Sequence, residues 1–152
     1  ISVYNGLIAA KNLSPDKVLI HDVARPAVSE DIITDIILAI DEETGAAPGL
    51  PISDAIWKVS DEEIEKTLDR NFIFRAQTPQ GFPYSKILKA HEDQSDHNAF
   101  DDVELAKKIG LRVVLKTGHK DNMKITKPED FLKMSKILVK KVGYKIIKKV
   151  LD

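Results

Sequence analysis

No cysteine occurs in the chain, which removes disulfides, thiolate zinc sites and cysteine nucleophiles and fits a reducing compartment. No apolar run approaches the roughly 20 residues that a membrane helix needs. The start also lacks the basic, apolar, small-residue pattern of a secretion leader, so the chain reads as soluble and cytoplasmic. Neither sign of charge dominates: 23 Lys and Arg stand against 24 Asp and Glu, which gives no global electrostatic case for nucleic acid or a membrane as partner. Aromatics are few, and Trp57 and Tyr84 stand isolated, with no stacking ladder for nucleic acid. The glycines never gather into a phosphate-cradling loop, and there is no internal repeat or low-complexity segment. What remains is a chain of 152 residues, 43% hydrophobic, enough for one domain with a real core.

Periodicity places the elements. Val3, Leu7 and Ile8 predict a helix over residues 2–12, stopped by Asn12, Ser14 and Pro15. Residues 17–22 read as a buried strand. Ser29 is a good N-cap for a helix whose apolar face is Ile32, Ile33, Ile36, Ile37 and Ile40, with Gly45 as its stop. Residues 46–52 are a strand candidate whose pairing Pro48 and Gly49 put in question. Residues 55–59 and 72–76 alternate like strands around a charged stretch, a pattern that can form a projecting β-arm. Pro83 starts a helix, residues 92–98 read as a loop, and Val103 to Ile109 build a helix that Gly110 ends. Residues 112–116 and 123–125 are strand candidates, and Pro128 opens the last helix, ahead of a basic amphipathic tail over residues 143–152. Strands alternating with helices predict an α/β domain with a mainly parallel sheet.

Three segments carry candidate chemistry. His21-Asp22-Val23-Ala24-Arg25-Pro26 follows an apolar strand, so Asp22 and Arg25 arrive at a strand's carboxyl end, where open α/β sheets bind ligands. A carboxylate there can hold Mg²⁺ or a ribose hydroxyl, and a guanidinium can grip phosphate; the bland alternative is an Asp–Arg pair closing a turn. Ala76-Gln77-Thr78-Pro79-Gln80-Gly81-Phe82 contains no strong acid or base and reads as a positioning loop, with Thr78 offering a hydroxyl and Pro79 holding Thr78 extended. In Asp121-Asn122-Met123-Lys124-Ile125-Thr126, strand alternation points Lys124 away from Met123 and Ile125, which by itself describes a solvated lysine. His21, His91, His97 and His119 show no metal spacing and read as structural. Asp101 and Asp102 read as complements to a helix dipole.

Taken in order, these segments resemble the 2-C-methyl-D-erythritol 4-phosphate cytidylyltransferase family, over nearly the whole chain. The resemblance implies a Rossmann-like three-layer α/β/α nucleotidyltransferase sheet, incomplete at the N-terminus, with a β-arm over residues 53–74. On it, residues 1–142 form the C-terminal portion of the domain and residues 143–152 the tail. It implies transfer of a cytidylyl group from CTP to 2-C-methyl-D-erythritol 4-phosphate, with pyrophosphate released, in a homodimer joined by the arm. Ser2, Asp22, Val23, Arg25 and Lys124 match nucleotide-binding positions, with Asp22, Arg25 and Lys124 as the catalytic set. Arg25, Arg70 and Thr78 match acceptor positions, Arg70 reaching across the dimer, and Asp22 with Asp121 would face Mg²⁺. Two positions depart from the family: Ala55 and Phe100 stand where threonines that serve the acceptor are common. They leave open another polyol phosphate such as ribitol 5-phosphate. The family's glycine-rich triphosphate loop has no counterpart before Ser2, so the isolated chain is expected to turn over little or not at all, and a non-catalytic dimerisation or binding fragment is the alternative of another class. A membrane-binding role for Lys140, Lys141, Lys145, Lys148 and Lys149 is the weaker reading, because such helix faces are usually just solvated.

Overall fold

The computed structural model describes residues 2–93 and 99–151, with side chains described as far as Gly143. His97 and most of the predicted loop lie outside the described residues, as do the side chains of Lys145, Lys148 and Lys149. Helix α1 spans Ser2–Ala10 and tightens into a 3₁₀ turn over Lys11–Leu13, where Ser14 adopts φ 46° and ends it. Strand β1, Lys17–Ile20, follows. Helix α2, Glu30–Ala39, is capped as predicted, Ser29 Oγ accepting the Ile32 N–H at 3.4 Å.

That helix ends at Ile40, where the backbone turns extended, and not at Gly45, which lies inside strand β2, Thr44–Pro51. Far from being doubtful, β2 pairs on both of its edges. On one it runs parallel to β7, Arg112–Thr117, from Thr44 beside Arg112 to Gly49 beside Thr117. On the other it meets two short antiparallel strands, β5, Phe74–Ala76, and β6, Gln80–Pro83, with Gly49 beside Ala76 and Ala46 beside Gly81. Strand β1 closes the sheet against β6, antiparallel. Among the described strands of this sheet only β2 and β7 pair in parallel, so the sheet is mixed rather than mainly parallel.

Strand β6 shows no alternation because both its faces are buried, and it shortens the predicted positioning loop to the residues between β5 and β6. Its two middle residues face opposite layers. Phe82 joins a core built with Leu7, Tyr84, Ile87, Leu105 and Ala106 from helices α1, α3 (Tyr84–Glu92) and α4 (Asp102–Lys108). Gly81 faces α2, where Ile32, Ile36 and Ile40 form the second core. A methyl group at Gly81 would sit 2.5 Å from Ile36 Cγ2 and 2.6 Å from Ile40 Cδ1, so glycine is what lets α2 approach. Helices on both faces of one sheet make a three-layer α/β/α domain. Full burial of Phe82, Ile36 and Ile87 contributes about 1.5–3 kcal/mol each.

The β-arm forms with a different second strand. β3, Ile56–Ser60, pairs with β4, Glu63–Leu68, through a two-residue turn in which Asp61 and Glu62 take φ 48° and 69°. The charged stretch read as a connector is therefore the arm itself, while Phe74–Ala76 belongs to the main sheet. The predicted strand around Lys124 does not form either, and residues 123–126 run irregularly. Helix α5, Pro128–Leu151, continues without a break into the predicted tail. Asp130 anchors its first turn, one carboxylate oxygen accepting the N–H groups of Thr126 and Lys127, both at 3.0 Å. No helix of the described residues is long and apolar enough to cross a membrane.

Candidate active site

Strand β1 stops at Ile20, and the loop that follows turns back at once, Arg25 N–H donating to the Asp22 carbonyl at 2.9 Å. Asp22 N–H donates to Thr78 Oγ1 at 3.0 Å, which ties this loop to the one between β5 and β6. Thr78 and Pro79 are joined by a cis peptide bond. An open cavity of about 510 Å³ lies at this junction, lined by Ser2, Asp22, Val23, Arg25, Thr78 and Lys124 among others. Larger grooves elsewhere contain none of these six residues.

Asp22 is the electrostatic centre. Its Oδ2 lies 3.3 Å from Arg25 Nε and 3.1 Å from Lys124 Nζ, with the aspartate side chain 33% exposed. Lys124 reaches it from the irregular 123–126 segment, held near by an Ile125 N–H bond to the Ala24 carbonyl at 2.8 Å. The ammonium thus faces the cavity for a reason strand alternation does not supply. Arg25 is more enclosed than a phosphate-gripping arginine suggests: Nη1 donates to the Asn122 carbonyl at 2.8 Å and Nη2 to the Ala76 carbonyl at 3.3 Å.

Two predicted site residues lie elsewhere. Arg70 sits at the base of the arm with Ala55 and Leu68, its guanidinium donating to the Ser53 carbonyl. Asp121 does not line the cavity; its N–H donates to His119 Nδ1 at 3.1 Å and its carboxylate lies 3.8 Å from the same nitrogen. Among the described residues no three His, Asp or Glu side chains gather as a metal cluster. Two other carboxylates line the cavity, and both are engaged. Asp101 caps α4 through the Glu104 N–H at 2.9 Å and accepts from Gln80 Nε2 at 3.1 Å. Asp102 bonds His91 Nε2 at 2.8 Å; burial pushes its carboxyl above the ordinary value, and the His91 hydrogen bond and charge oppose that. Asp22 is the third carboxylate of the cavity lining, and its partners there are the two cations Arg25 and Lys124.

Three residues to which the sequence assigns no site role, one of them a histidine read as structural, hold the loops together. His21 bridges two loops, Nδ1 at 3.0 Å from Thr78 Oγ1 and Nε2 at 3.1 Å from the Arg25 carbonyl. Gln77 and Asn122 are 4% and 1% exposed, and each bonds the other's segment. Their one sequence signal was position: each is the uncharged amide next to a residue already singled out, Thr78 and Asp121.

The family profile described as IspD, 2-C-methyl-D-erythritol 4-phosphate cytidylyltransferase, matches residues 1–140. The "Bifunctional enzyme IspD/IspF" of Ruegeria sp. (strain TM1040) is 47% identical over 137 residues, covering 90% of this chain and 36% of that protein. The 2-C-methyl-D-erythritol 4-phosphate cytidylyltransferase of Cereibacter sphaeroides is 42% identical over 142 residues, covering 93% of this chain and 63% of the relative. The crystal structure of the enzyme of that name from Thermus thermophilus superposes with a TM-score of 0.81 at 32% identity, over 90% of this chain and 67% of the other. The chain thus spans between about a third and two thirds of the length of these curated relatives.

Proposed function

This chain belongs to the 2-C-methyl-D-erythritol 4-phosphate cytidylyltransferase family, and from that premise we propose that the protein transfers a cytidylyl group from CTP to 2-C-methyl-D-erythritol 4-phosphate. The observation that carries the proposal is the Lys124–Asp22–Arg25 constellation at one cavity mouth. A phosphate oxygen of the acceptor attacks the α-phosphorus of CTP in line, forming a new P–O–P linkage as the bond to the departing pyrophosphate breaks. The attacking phosphate monoester has a second pKa of about 6, so it is already ionised at neutral pH and no general base is required. Rate then comes from alignment and from offsetting negative charge at the α-phosphate.

Lys124 offers its ammonium to the α-phosphate. Thr78 lies beside the acceptor, and Arg25 holds the loop walls together while presenting charge to it. Ser2 and Val23, at the rim, are assigned to the nucleotide. Asp22 would share a divalent cation with the triphosphate, and a cation so placed would draw negative charge off the phosphates.

Arg70 completes the site from a second subunit. Its distance from the cavity-lining set supports that role, as does an arm that leaves Trp57, Val59 and Ile64 more than half exposed. Apolar side chains on a two-stranded ribbon need a partner surface, and a second copy of the chain supplies it.

Pyrophosphate release by the full-length protein with CTP and a panel of polyol phosphates tests the reading. 2-C-methyl-D-erythritol 4-phosphate should give the highest kcat/KM, and Lys124→Ala should lower kcat at least 100-fold. Turnover near wild type in that variant removes Lys124 from the mechanism. The panel matters because Phe100, 99% exposed, lines the cavity with an apolar ring. Preference for a different polyol phosphate would transfer the same chemistry to that acceptor.

A further inference from the structure

Lys124 stands on a segment that no β-ladder holds. Strand β7 ends at Thr117 and Gly118 N–H still donates to the Gly49 carbonyl at 2.9 Å. Beyond it, among the described residues, the one backbone bond from residues 119–126 to another part of the sheet layer is Ile125 N–H to the Ala24 carbonyl. Two buried carboxamides do what a ladder would. Gln77 Nε2 donates to the carbonyls of His119 at 2.9 Å and Asn122 at 3.1 Å, while its Oε1 accepts the His119 N–H at 3.1 Å. Gln77 is itself fixed to β2 by its own N–H, which donates to the Pro48 carbonyl at 2.8 Å. Gly118 makes room, since a Cβ there would lie 2.4 Å from Gln77 Oε1. Asn122 passes the constraint on: Nδ2 donates to the Thr78 carbonyl at 2.8 Å, and its own carbonyl accepts from Arg25 Nη1.

We propose that Gln77 and Asn122 are positioning residues, a two-amide clamp that sets the height of Lys124 against Asp22 and couples it to Thr78 and Arg25. The catalytic consequence rests on the cytidylyl-transfer reading; the clamp itself does not. Gln77 is bonded to backbone through both atoms of its carboxamide and Asn122 through Nδ2, the buried Asn122 Oδ1 having no partner among the described residues, so the restraint rests mainly on Gln77. Its loss leaves the Lys124 segment held by the Ile125 N–H, by the Arg25 bond to the Asn122 carbonyl and by the ion pair with Asp22, none of which fixes residues 119–122 to β2. A displacement near 1 Å at a reacting group can cost about 100-fold in rate.

Gln77→Glu keeps the shape but replaces both donors with an oxygen facing two carbonyls; Gln77→Met is the second variant, of similar size and uncharged. In the full-length protein, kcat should fall 10- to 100-fold while KM for both substrates moves less than threefold. Reductive ¹³C-methylation reads Lys124 directly, its resonance assigned by Lys124→Arg. That resonance should shift in the Gln77 variants toward its position in Asp22→Asn. An unshifted resonance in both variants overturns the clamp, and so does turnover within twofold of wild type in both. If the unaltered protein transfers no cytidylyl group to any acceptor, the functional reading fails by itself, and the resonance alone decides: a shift supports the clamp and its absence refutes it.

Discussion

Replacing Arg25 should unfold the site before it starves it of charge. Each of the three guanidinium nitrogens makes one hydrogen bond inside the chain, to Asp22 Oδ2 at 3.3 Å, the Asn122 carbonyl at 2.8 Å and the Ala76 carbonyl at 3.3 Å, and the side chain is 12% exposed. A hydrogen bond from a charged donor contributes about 1.5–3 kcal/mol. The Asp22 pair counts for little, because that carboxylate is a third exposed and water screens it. The Ala76 bond is long, so the two carbonyl bonds together are worth about 2–4 kcal/mol. Arg25→Ala should lose that amount. Arg25→Lys should recover only part of it, since one ammonium cannot span three acceptors set at fork geometry. With a urea m-value of about 2 kcal/mol per M for a domain of this size, the alanine variant should lower the midpoint by about 1–2 M. Urea unfolding followed by circular dichroism reads this directly. An alanine variant with its midpoint within about 0.2 M of wild type and m unchanged would refute the reasoning, and Arg25 would then be a ligand-facing arginine only.

Three further outcomes follow from single contacts. Hydrogen bonds from the Thr126 and Lys127 N–H groups hold the Asp130 carboxyl below its ordinary value, so its contribution is present above an ordinary aspartate pKa of about 3.9 and is lost as pH falls further; thermal melts of wild type and Asp130→Asn should differ at pH 7 and converge in acid, and a pH-independent gap would contradict this. Gly81→Ala forces a methyl against Ile36, Ile40 and Leu19, at a cost of about 1–3 kcal/mol; the melting temperature should drop by several degrees, roughly 2–4 °C for each kcal/mol, and an unchanged value would mean that α2 shifts freely. Glu62→Gly relieves a left-handed φ of 69° in the arm's turn, and hydrogen exchange should report about 2- to 5-fold greater protection across β3 and β4; unaltered protection would show that the arm is held by something other than its turn.

Much of the fold was legible because its helices obey local rules. Ser29 caps α2, Asp101 caps α4 and Pro128 opens α5, each a contact between residues no more than a few positions apart. The strands were harder for a single reason. β2 and β6 are built largely of Gly, Ala, Pro and Gln with no alternation, since both faces of each are covered and small residues are what close packing admits. Gly45 therefore reads as a helix stop and Pro48 as a break in pairing, and both are strand interior. The arm's second strand was hidden by charge, because a ribbon exposed on both faces carries Glu and Lys where a sheet strand would carry apolar residues.

The sequence by itself determined the helices and the family, and it singled out the loops that bear Asp22, Arg25, Thr78 and Lys124, because capping, periodicity and short motifs are local. Only the tertiary structure decided what those residues do to one another. It turned Arg25 into the tie of three loops, separated Arg70 and Asp121 from the cavity, and replaced the expected strand under Lys124 with two buried amides. Those outcomes depend on which backbone carbonyls are left without a ladder partner once the sheet has closed, and no local pattern encodes that.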